Sequence, residues 1–463
     1  MKKFVIFTLI GAMAAGAVFA ADGININAWG RGTFAPLIVR GAPQDGDGKV
    51  AKNLSTGDDL KAKLFTGVGN SWGGNSIRVD FRIVGNSEFV GFGLNATAEQ
   101  NRLMGNDDAA YIWAKPFSND FLKIKLGMLI EDELRGKIGT ANNTFDNFVL
   151  RRDDAFGNEP EDRIFYRFRT FSYDNETSVW NGKGAENGRP GFLLSSQPID
   201  PLFIGLLVVG GNPGADQWPS WGTPSAMSAY DAWNYMQVGA GYKIEGIGHV
   251  RAQYIGGFVG TFDQDKKDDI AEKDGTFDAD KPARIEAAFA LTAVEGLLVD
   301  LGGKFWLPIT EDTGDKATTT KDSNGIQIAL GATFRMEALA VAFRFDGAFA
   351  SYNRVGDKDE SLNGGNLDFR LNPSYDLDFA TLGVVFGLQT NVAGKGANSD
   401  DKKWDDFKST IRLGFGGYAQ KGLGKGSIKA GLTFTTAELT DGKALKDSST
   451  LFSIPVILEY AFF

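Results

Sequence analysis

Apolar and polar side chains alternate with a period of two through residues 283–350, in four successive segments. The alternating sets of the first segment are Ile285, Ala287, Phe289, Leu291 and Ala293 on one side, and Arg284, Glu286 and Thr292 on the other. Successive side chains of a strand point to opposite faces, so this pattern predicts β-strands with one apolar and one polar face. The fourth segment repeats the pattern, with Phe343 and Phe345 opposite Arg344 and Asp346.

Short and long connections alternate between these segments. Two-residue joints at Glu295-Gly296 and near Met336-Glu337 make two of the connections, and a long polar segment makes the third. This alternation is typical of an up-and-down meander with short turns at one end and long loops at the other. Candidate strands continue along the whole chain, so we expect an all-β, antiparallel transmembrane barrel of about 18 strands, within a range of about 16 to 20.

The first half of the chain fits this alternation less well. The alternation weakens before Leu64, which indicates that a strand there is missed, merged or false. The first candidate strands of the chain lie at 24–35, 64–69 and 76–84. Two further candidate strands lie at 163–173 and 177–180.

Composition narrows the class of protein. The chain has 463 residues with a formal net charge of −10, which argues against nucleic acid as the main partner. The content of 60 glycines and 14 prolines suits tight turns and uninterrupted strands. There is no cysteine, which excludes disulfides and thiolate metal sites.

The N-terminal residues have a separate role. Lys2 and Lys3 precede an apolar run from Phe4 to Phe19, and small residues lead to a predicted cleavage site after Ala20. This pattern predicts a signal peptide at residues 1–20 and a mature barrel at residues 21–463. No later apolar run reaches the roughly 20 residues that a spanning helix needs. An exported chain of this kind is therefore either soluble or crosses a membrane as a barrel.

Three features favour the membrane barrel. Several candidate strands are longer than those of soluble sheets and match a tilted membrane crossing. Aromatic residues gather near strand ends, where interfacial girdles are expected. They include Trp113, Phe117, Phe121, Tyr173, Tyr242, Phe258, Phe262, Trp306, Phe349 and Tyr352. The third feature is the last strand, whose apolar set is Phe452, Ile454, Val456, Leu458, Tyr460 and Phe462.

This terminal strand, together with the leader and the strand–loop pattern, resembles the bacterial outer-membrane β-barrels, the porins among them. In that family the final strand ends on an aromatic residue and is recognised by the barrel assembly machinery. Here the apolar set ends at Phe462, and Phe463 is one residue beyond it. The resemblance implies a location in the bacterial outer membrane, contact with its lipid, assembly through the C-terminal strand, and a homotrimer.

Charged residues assign the faces of the wall. Lys123 and Lys125 alternate with Leu122, Ile124 and Leu126. A lysine on the lipid face near mid-membrane costs about 2–4 kcal/mol, so both lysines are expected in the lumen. The candidates for pore lining and ion selectivity are Arg78, Arg82, Lys123, Lys125, Arg151, Arg152, Asp153, Asp154, Arg163, Arg167 and Arg169. A basic strip of this kind favours anions, whereas lumen salt bridges that only hold the shape of the barrel are the alternative.

The segment 131–162 is the best candidate for a constriction. It combines charged residues with an apolar patch at Phe145, Phe148, Val149 and Leu150 that suits packing against the inner wall. Porins commonly narrow the pore with one long inward loop, so the resemblance implies this role. An outward loop is the alternative, and the segment 212–233, with three tryptophans, is another candidate.

Signals for metal binding and catalysis are weak. The acidic runs at 45–48 and 263–274 lack the spacing of a calcium loop. His249 is the single histidine, and the sequence places no serine or acid convincingly beside it. We expect no cofactor, no metal and no enzymatic activity.

The sequence therefore predicts a porin that forms a water-filled channel for passive diffusion of small hydrophilic solutes and ions. Two alternatives stay open: a substrate-specific uptake barrel for sugars or hydrophobic solutes, and a non-conducting adhesin or structural barrel.

Overall fold

In the computed structural model of the chain, the elements of regular secondary structure in the described residues are β-strands. The described residues are 23–40, 61–69, 78–99, 102–129, 189–209, 236–256, 260–263, 283–312, 321–354, 360–392, 394–397, 404–407, 410–436, 439–440, 443–444 and 450–462. In these ranges no helix is long and apolar enough to cross a membrane. The predicted leader and the segment 131–162 lie outside them.

Strands make up nearly all of the described structure. The first are β1 (Ile24–Arg40), β2 (Lys61–Gly69), β3 (Arg78–Asn86), β4 (Val90–Glu99), β5 (Arg102–Ala114), β6 (Lys123–Leu129), β7 (Arg189–Ile199) and β8 (Leu202–Val209). They are followed by β9 (Met236–Ile244), β10 (Gly248–Ile255), β11 (Gly260–Asp263), β12 (Arg284–Val294), β13 (Leu297–Asp312), β14 (Lys321–Met336), β15 (Leu339–Arg354) and β16 (Glu360–Asp376). The last are β17 (Thr381–Val392), β18 (Gly394–Ala397), β19 (Trp404–Phe407), β20 (Thr410–Leu423), β21 (Gly426–Thr435), β22 (Leu439–Thr440), β23 (Lys443–Ala444) and β24 (Leu451–Phe462).

The wall closes through its first and last strands. One edge of β1 pairs antiparallel with β24, from Ala28 opposite Phe462 to Arg40 opposite Leu451. The other edge of β1 pairs with β3 along its first half and with β2 along its second half. With β2 and β3 sharing one wall position, the structure is a closed antiparallel barrel of 18 strands. This confirms the predicted all-β barrel and its strand number.

The shared position of β2 and β3 explains the irregularity in the first half of the sequence. The two predicted strands are real, but they are merged into one wall position, because both pair with the same edge of β1. The candidate strands at 163–173 and 177–180 lie outside the described residues. On either side of this stretch, β6 and β7 pair directly with each other, from Lys123 opposite Ser195 to Leu129 opposite Arg189.

Short strands extend the wall beyond its regular ladder. β11 pairs in parallel with the end of β13, from Gly260 opposite Ile309 to Asp263 opposite Asp312. β22 and β23 pair with each other, and β22 also joins β20. β18 and β19 form a separate two-stranded sheet within the connection between β17 and β20.

The short connections have the geometry that two-residue turns require. Glu295 and Gly296 join β12 to β13, as predicted, and Glu337 with Ala338 joins β14 to β15, one residue later than predicted. Gly296 has a φ of 73°, and a Cβ atom there would lie 2.3 Å from the carbonyl oxygen of Arg335. Glycine is favoured at this point for both reasons. Glu337 adopts a φ of 51° without being glycine.

The two faces of the wall differ in polarity as the sequence predicts. On β12, Ile285 is 45% exposed on the outer face, whereas its neighbour Glu286 is 2% exposed on the inner face. The outer face presents many half-exposed apolar side chains, such as Phe305, Phe415 and Leu432. An apolar surface of this extent is unfavourable in water and is what a lipid bilayer accepts.

The C-terminal strand β24 keeps the apolar outer face through Tyr460, and its inner face also includes the apolar Ile457. Leu458 and Tyr460 are exposed on the outer face, whereas Ser453 and Ile457 are buried on the inner face. Since β24 supplies the pairing partner for β1, this strand carries both the lipid-facing pattern and the closure of the barrel.

Candidate functional site

Few of the predicted pore-lining residues fall in the described part of the chain. Lys123 and Lys125 lie on the inner face of β6, and Arg82 lies on the inner face of β3, opposite Asn95 of β4. The side chain of Arg78 is outside the described set. The same is true of the whole residues Arg151, Arg152, Asp153, Asp154, Arg163, Arg167 and Arg169.

Lysines and aromatic rings meet on the inner face of β5 and β6. The Lys123 ammonium lies 5.3 Å from the centre of the Trp113 ring, and the Lys115 ammonium lies 5.6 Å from it. Lys125, which is 4% exposed, lies 3.9 Å from the centre of the Tyr111 ring. These distances are within the range of cation–π attraction. Lys115 also forms an ion pair of 2.7 Å with Asp120.

Two glycines of β4 make room for these rings. A Cβ atom at Gly93 would lie 2.2 Å from Tyr111 Cζ, and one at Gly91 would lie 2.4 Å from Trp113 Cε2. The rings therefore lie flat against the wall where the neighbouring strand has no side chain. This corrects one sequence-based expectation: Trp113 is buried on the inner face and does not belong to an outer aromatic girdle.

The outer aromatic positions agree better with the expectation. Phe117, Phe121, Tyr242 and Phe349 are all between 41% and 56% exposed. The other aromatic candidates have side chains outside the described set, namely Tyr173, Phe258, Phe262, Trp306 and Tyr352.

The same arrangement of glycine, aromatic ring and lysine recurs on β17, β20 and β21. A Cβ atom at Gly383 would lie 2.2 Å from Tyr418 Cζ, and the Lys429 ammonium lies 4.8 Å from the Tyr418 ring centre. The Tyr418 hydroxyl is 3.2 Å from Nδ2 of Asn372, whose amide also donates to the carbonyl of Val384. The sequence alone does not reveal this group, because its members come together only through the register of three strands.

Glu286 is the centre of a buried charged group on β10, β12 and β13. Its Oε1 accepts a hydrogen bond of 2.9 Å from Arg284 Nε and lies 3.7 Å from Lys304 Nζ. Its Oε2 accepts a hydrogen bond of 2.7 Å from Gln253 Nε2. The strand register brings these residues together, since Glu286 is opposite both Gln253 and Lys304. A buried carboxylate with three donors is electrostatically satisfied, so this group suits a structural role.

A second charged group lies on β16 and β17. Arg370 donates from Nε and Nη2 to both carboxylate oxygens of Asp368, at 2.7 and 2.6 Å. Gln389 Nε2 donates to the same carboxylate at 2.8 Å. Arg344 is directly opposite Arg370 on the adjacent strand, so this part of the wall is rich in guanidinium groups.

One part of the inner wall is apolar. Leu129, Leu193 and Leu207 form a buried inner-wall leucine cluster, with Tyr111 and Phe203 packed against it. Gln237 lies opposite Leu207 and is 0% exposed, and among the described residues neither polar atom of its amide has a hydrogen-bond partner. This region is therefore not lined by open, hydrated side chains.

Cations outnumber anions among the described charged residues of the inner strand face. The cations are Arg82, Lys123, Lys125, Lys243, Arg251, Arg284, Lys304, Arg335, Arg344, Arg370, Arg412 and Lys429, and the anions are Asp80, Glu286, Asp300, Asp368, Asp376 and Glu459. Basic residues occur in both halves of the wall. His249 lies on β10 near its short connection and is exposed. The described residues contain no cluster of three or more histidine or acidic side chains that could hold a metal ion.

No family model matches the chain, and no curated protein matches it in sequence. Solved structures with a similar fold include an anion-selective porin from Comamonas acidovorans, with 11% identity, coverage of 95% of this chain and 100% of that chain, and a TM-score of 0.42.

Two structures from Pseudomonas are also similar. OprB of Pseudomonas putida has 9% identity, coverage of 95% of this chain and 94% of that chain, and a TM-score of 0.43. OccD3 of Pseudomonas aeruginosa has 11% identity, coverage of 96% and 92%, and a TM-score of 0.43. At such low similarity, functional conclusions depend on the geometry of this chain itself.

Proposed function

We propose that the chain is an outer-membrane porin, which forms a water-filled channel for passive diffusion of small hydrophilic solutes and ions. The observation that carries this proposal is the closed 18-strand barrel with an apolar outer face and a charged inner face. Barrels of this size have an interior wide enough for an aqueous passage. The chain would then be exported through its N-terminal leader and assembled through its C-terminal strand, with a homotrimer as the proposed oligomer.

We further propose that the channel prefers anions. The excess of lysine and arginine on the described inner face supports this, because rings of charged side chains set the ion preference of a pore. The predicted candidates Arg82, Lys123 and Lys125 remain the residues proposed for this role. No step of this function needs a cofactor or a catalytic group.

The segment 131–162 remains the proposed constriction. What supports it is the inner-wall leucine cluster, in which Leu129 is the last residue of β6, where the chain leaves the wall, and packs with Leu193 of β7 and Leu207 of β8. An apolar surface facing the lumen favours an apolar partner such as the patch at 145–150. The decisive variant is Phe148→Asp. It would weaken the proposed packing of the patch at 145–150 against the inner-wall leucine cluster and thereby raise the single-channel conductance.

Planar-bilayer recording with the purified, refolded protein tests the function. We expect stepwise channel insertions and a reversal potential in a KCl gradient that has the sign for chloride preference. Lys125→Gln should shift this potential toward zero, whereas Lys421→Gln, at an exposed position with outer-face parity on β20, is the matched control. A reversal potential of cation-selective sign would contradict the proposed anion preference.

A non-conducting barrel is the second candidate, and the complete burial of Leu207 and Gln237 on the inner face favours it. If the lumen is filled, proteoliposomes should not swell in iso-osmotic sugar solutions and bilayers should show no channel steps. Swelling that depends on sugar size would instead support the open channel.

A further inference from the structure

Three aromatic rings on the inner face share one environment. Tyr111, Trp113 and Tyr418 each lie over a glycine of the neighbouring strand, and each has at least one lysine ammonium within 5.6 Å of the ring centre. The glycine removes the side chain that would lift the ring away from the wall. The ring then offers one face to the wall and leaves its negative π surface for the ammonium group.

These groups lie at one end of the barrel. Gly91 and Gly93 are within three residues of the first residue of β4, and Gly383 is two residues from the start of β17. Both strands begin at a short connection, so all three rings are near the mouth formed by the short connections. Four wall positions separate β21 from β5, namely β24, β1, the shared β2/β3 position and β4. The lysines therefore occupy two separate parts of this mouth.

We propose that Tyr111, Trp113 and Tyr418 are positioning residues that hold lysine ammonium groups at fixed places around the short-connection mouth and thereby set its preference for small inorganic anions. This inference rests on the proposed channel function and deepens it. A free lysine side chain samples many rotamers, and contact with a ring face reduces that freedom. The positive potential is then concentrated at the wall, while the flat ring leaves the cross-section of the lumen open.

Trp113 is the sharpest position to test, because two lysines contact its ring. Lys115 is also paired with Asp120 at 2.7 Å, so the selectivity prediction depends on Lys123. Trp113→Leu removes the π face and leaves both charges in place. Trp113→Phe keeps a ring, and Lys123→Gln removes one charge and keeps the ring. Folding of each variant is checked by far-UV circular dichroism and by heat-modifiable mobility on gels, before any functional comparison.

The first readout reports geometry and does not require conduction. Lysines of the refolded protein in detergent are reductively methylated with ¹³C-formaldehyde, and the dimethylamine resonances are recorded by NMR. We expect upfield-shifted resonances for Lys115 and Lys123, caused by the ring current of Trp113. The shifts should disappear in Trp113→Leu and persist in part in Trp113→Phe. Resonances without any shift in the wild-type protein would overturn the inference, whatever the conductance.

The second readout is the chloride-to-potassium permeability ratio from reversal potentials. We expect Trp113→Leu to lower the ratio by about twofold, in the same direction as Lys123→Gln, and Trp113→Phe to restore it. A ratio in Trp113→Leu equal to that of the wild type would refute the positioning role while the channel function stands. A wild-type protein that folds but passes no ions would refute the channel function, and the selectivity role would fall with it.

Discussion

The buried group around Glu286 gives the most quantitative prediction. Glu286→Gln keeps the shape of the side chain and removes a charge that Arg284 and Lys304 both contact, at 2.9 and 3.7 Å. All three side chains are nearly completely buried, so water cannot replace the lost carboxylate. Removing one partner from a buried ion pair typically costs about 3–5 kcal/mol, and we expect a loss of unfolding free energy in this range.

The assay is equilibrium unfolding in urea of the protein refolded into lipid vesicles, followed by tryptophan fluorescence. Asp120→Asn is the matched control, because it removes a carboxylate that contacts Lys115 at 2.7 Å but is 58% exposed. An exposed pair contributes only about 0–1 kcal/mol. Adding Lys304→Met to Glu286→Gln should recover part of the lost stability, because it removes the cation left without its carboxylate. Equal effects of Glu286→Gln and Asp120→Asn would refute the reasoning.

Two further predictions concern the wall itself. Gly383→Ala should displace Tyr418 and lower the free energy of unfolding by about 1–3 kcal/mol, since a new Cβ atom would overlap the ring at 2.2 Å. Gly417→Ala, whose Cβ would have only one neighbour, at 3.9 Å, should have little effect in the same unfolding assay, and equal losses would contradict the prediction. Leu388→Lys places a cation on the outer face and should cost about 2–4 kcal/mol in vesicles. Gln389→Lys, on the inner face beside Asp368, should cost less, and the reverse order would show that the faces are wrongly assigned.

The faces and the strand number could be predicted because the physical rule is local. Successive side chains of a strand point to opposite faces, so a lysine between two apolar residues avoids the lipid only if it faces the lumen. Lys123 and Lys125 were therefore assigned to the inner face from sequence alone, and their contacts with Trp113 and Tyr111 agree with that assignment.

The features that could not be predicted depend on pairing between distant segments. The merger of β2 and β3 follows from the length of β1, whose edge accommodates both. The local sequence of residues 61–86 does not contain that information. The contacts between glycines and aromatic rings depend on register in the same way. Gly93 makes room for Tyr111 only because the two residues are opposite each other on β4 and β5.

The sequence contains enough information to predict the inner-face position of Trp113, but the girdle prediction placed this residue on the outer face and was wrong. Trp113 alternates with Ile112 and Ala114 and shares the parity of Tyr111 and Lys115, so strand periodicity alone assigns it to the lysine face. Its position near the end of β5 suggests membership of the outer aromatic girdle instead. For a residue near a strand end, parity is the stronger criterion, because it fixes the face, whereas proximity to the end fixes only the depth.

The charged residues of the inner wall divide into two groups with different physical roles. Glu286 and Asp368 are each surrounded by donors at hydrogen-bond distance, so their charges are compensated within the wall and contribute mainly to stability. Lys123 and Lys429 lie against neutral rings, which attract a cation without cancelling its charge. A ring contact by itself leaves the long-range field of a lysine in place, whereas a contact with a carboxylate reduces that field. Substitutions at Glu286 should accordingly change unfolding free energy more than ion preference, and substitutions at Trp113 should do the opposite.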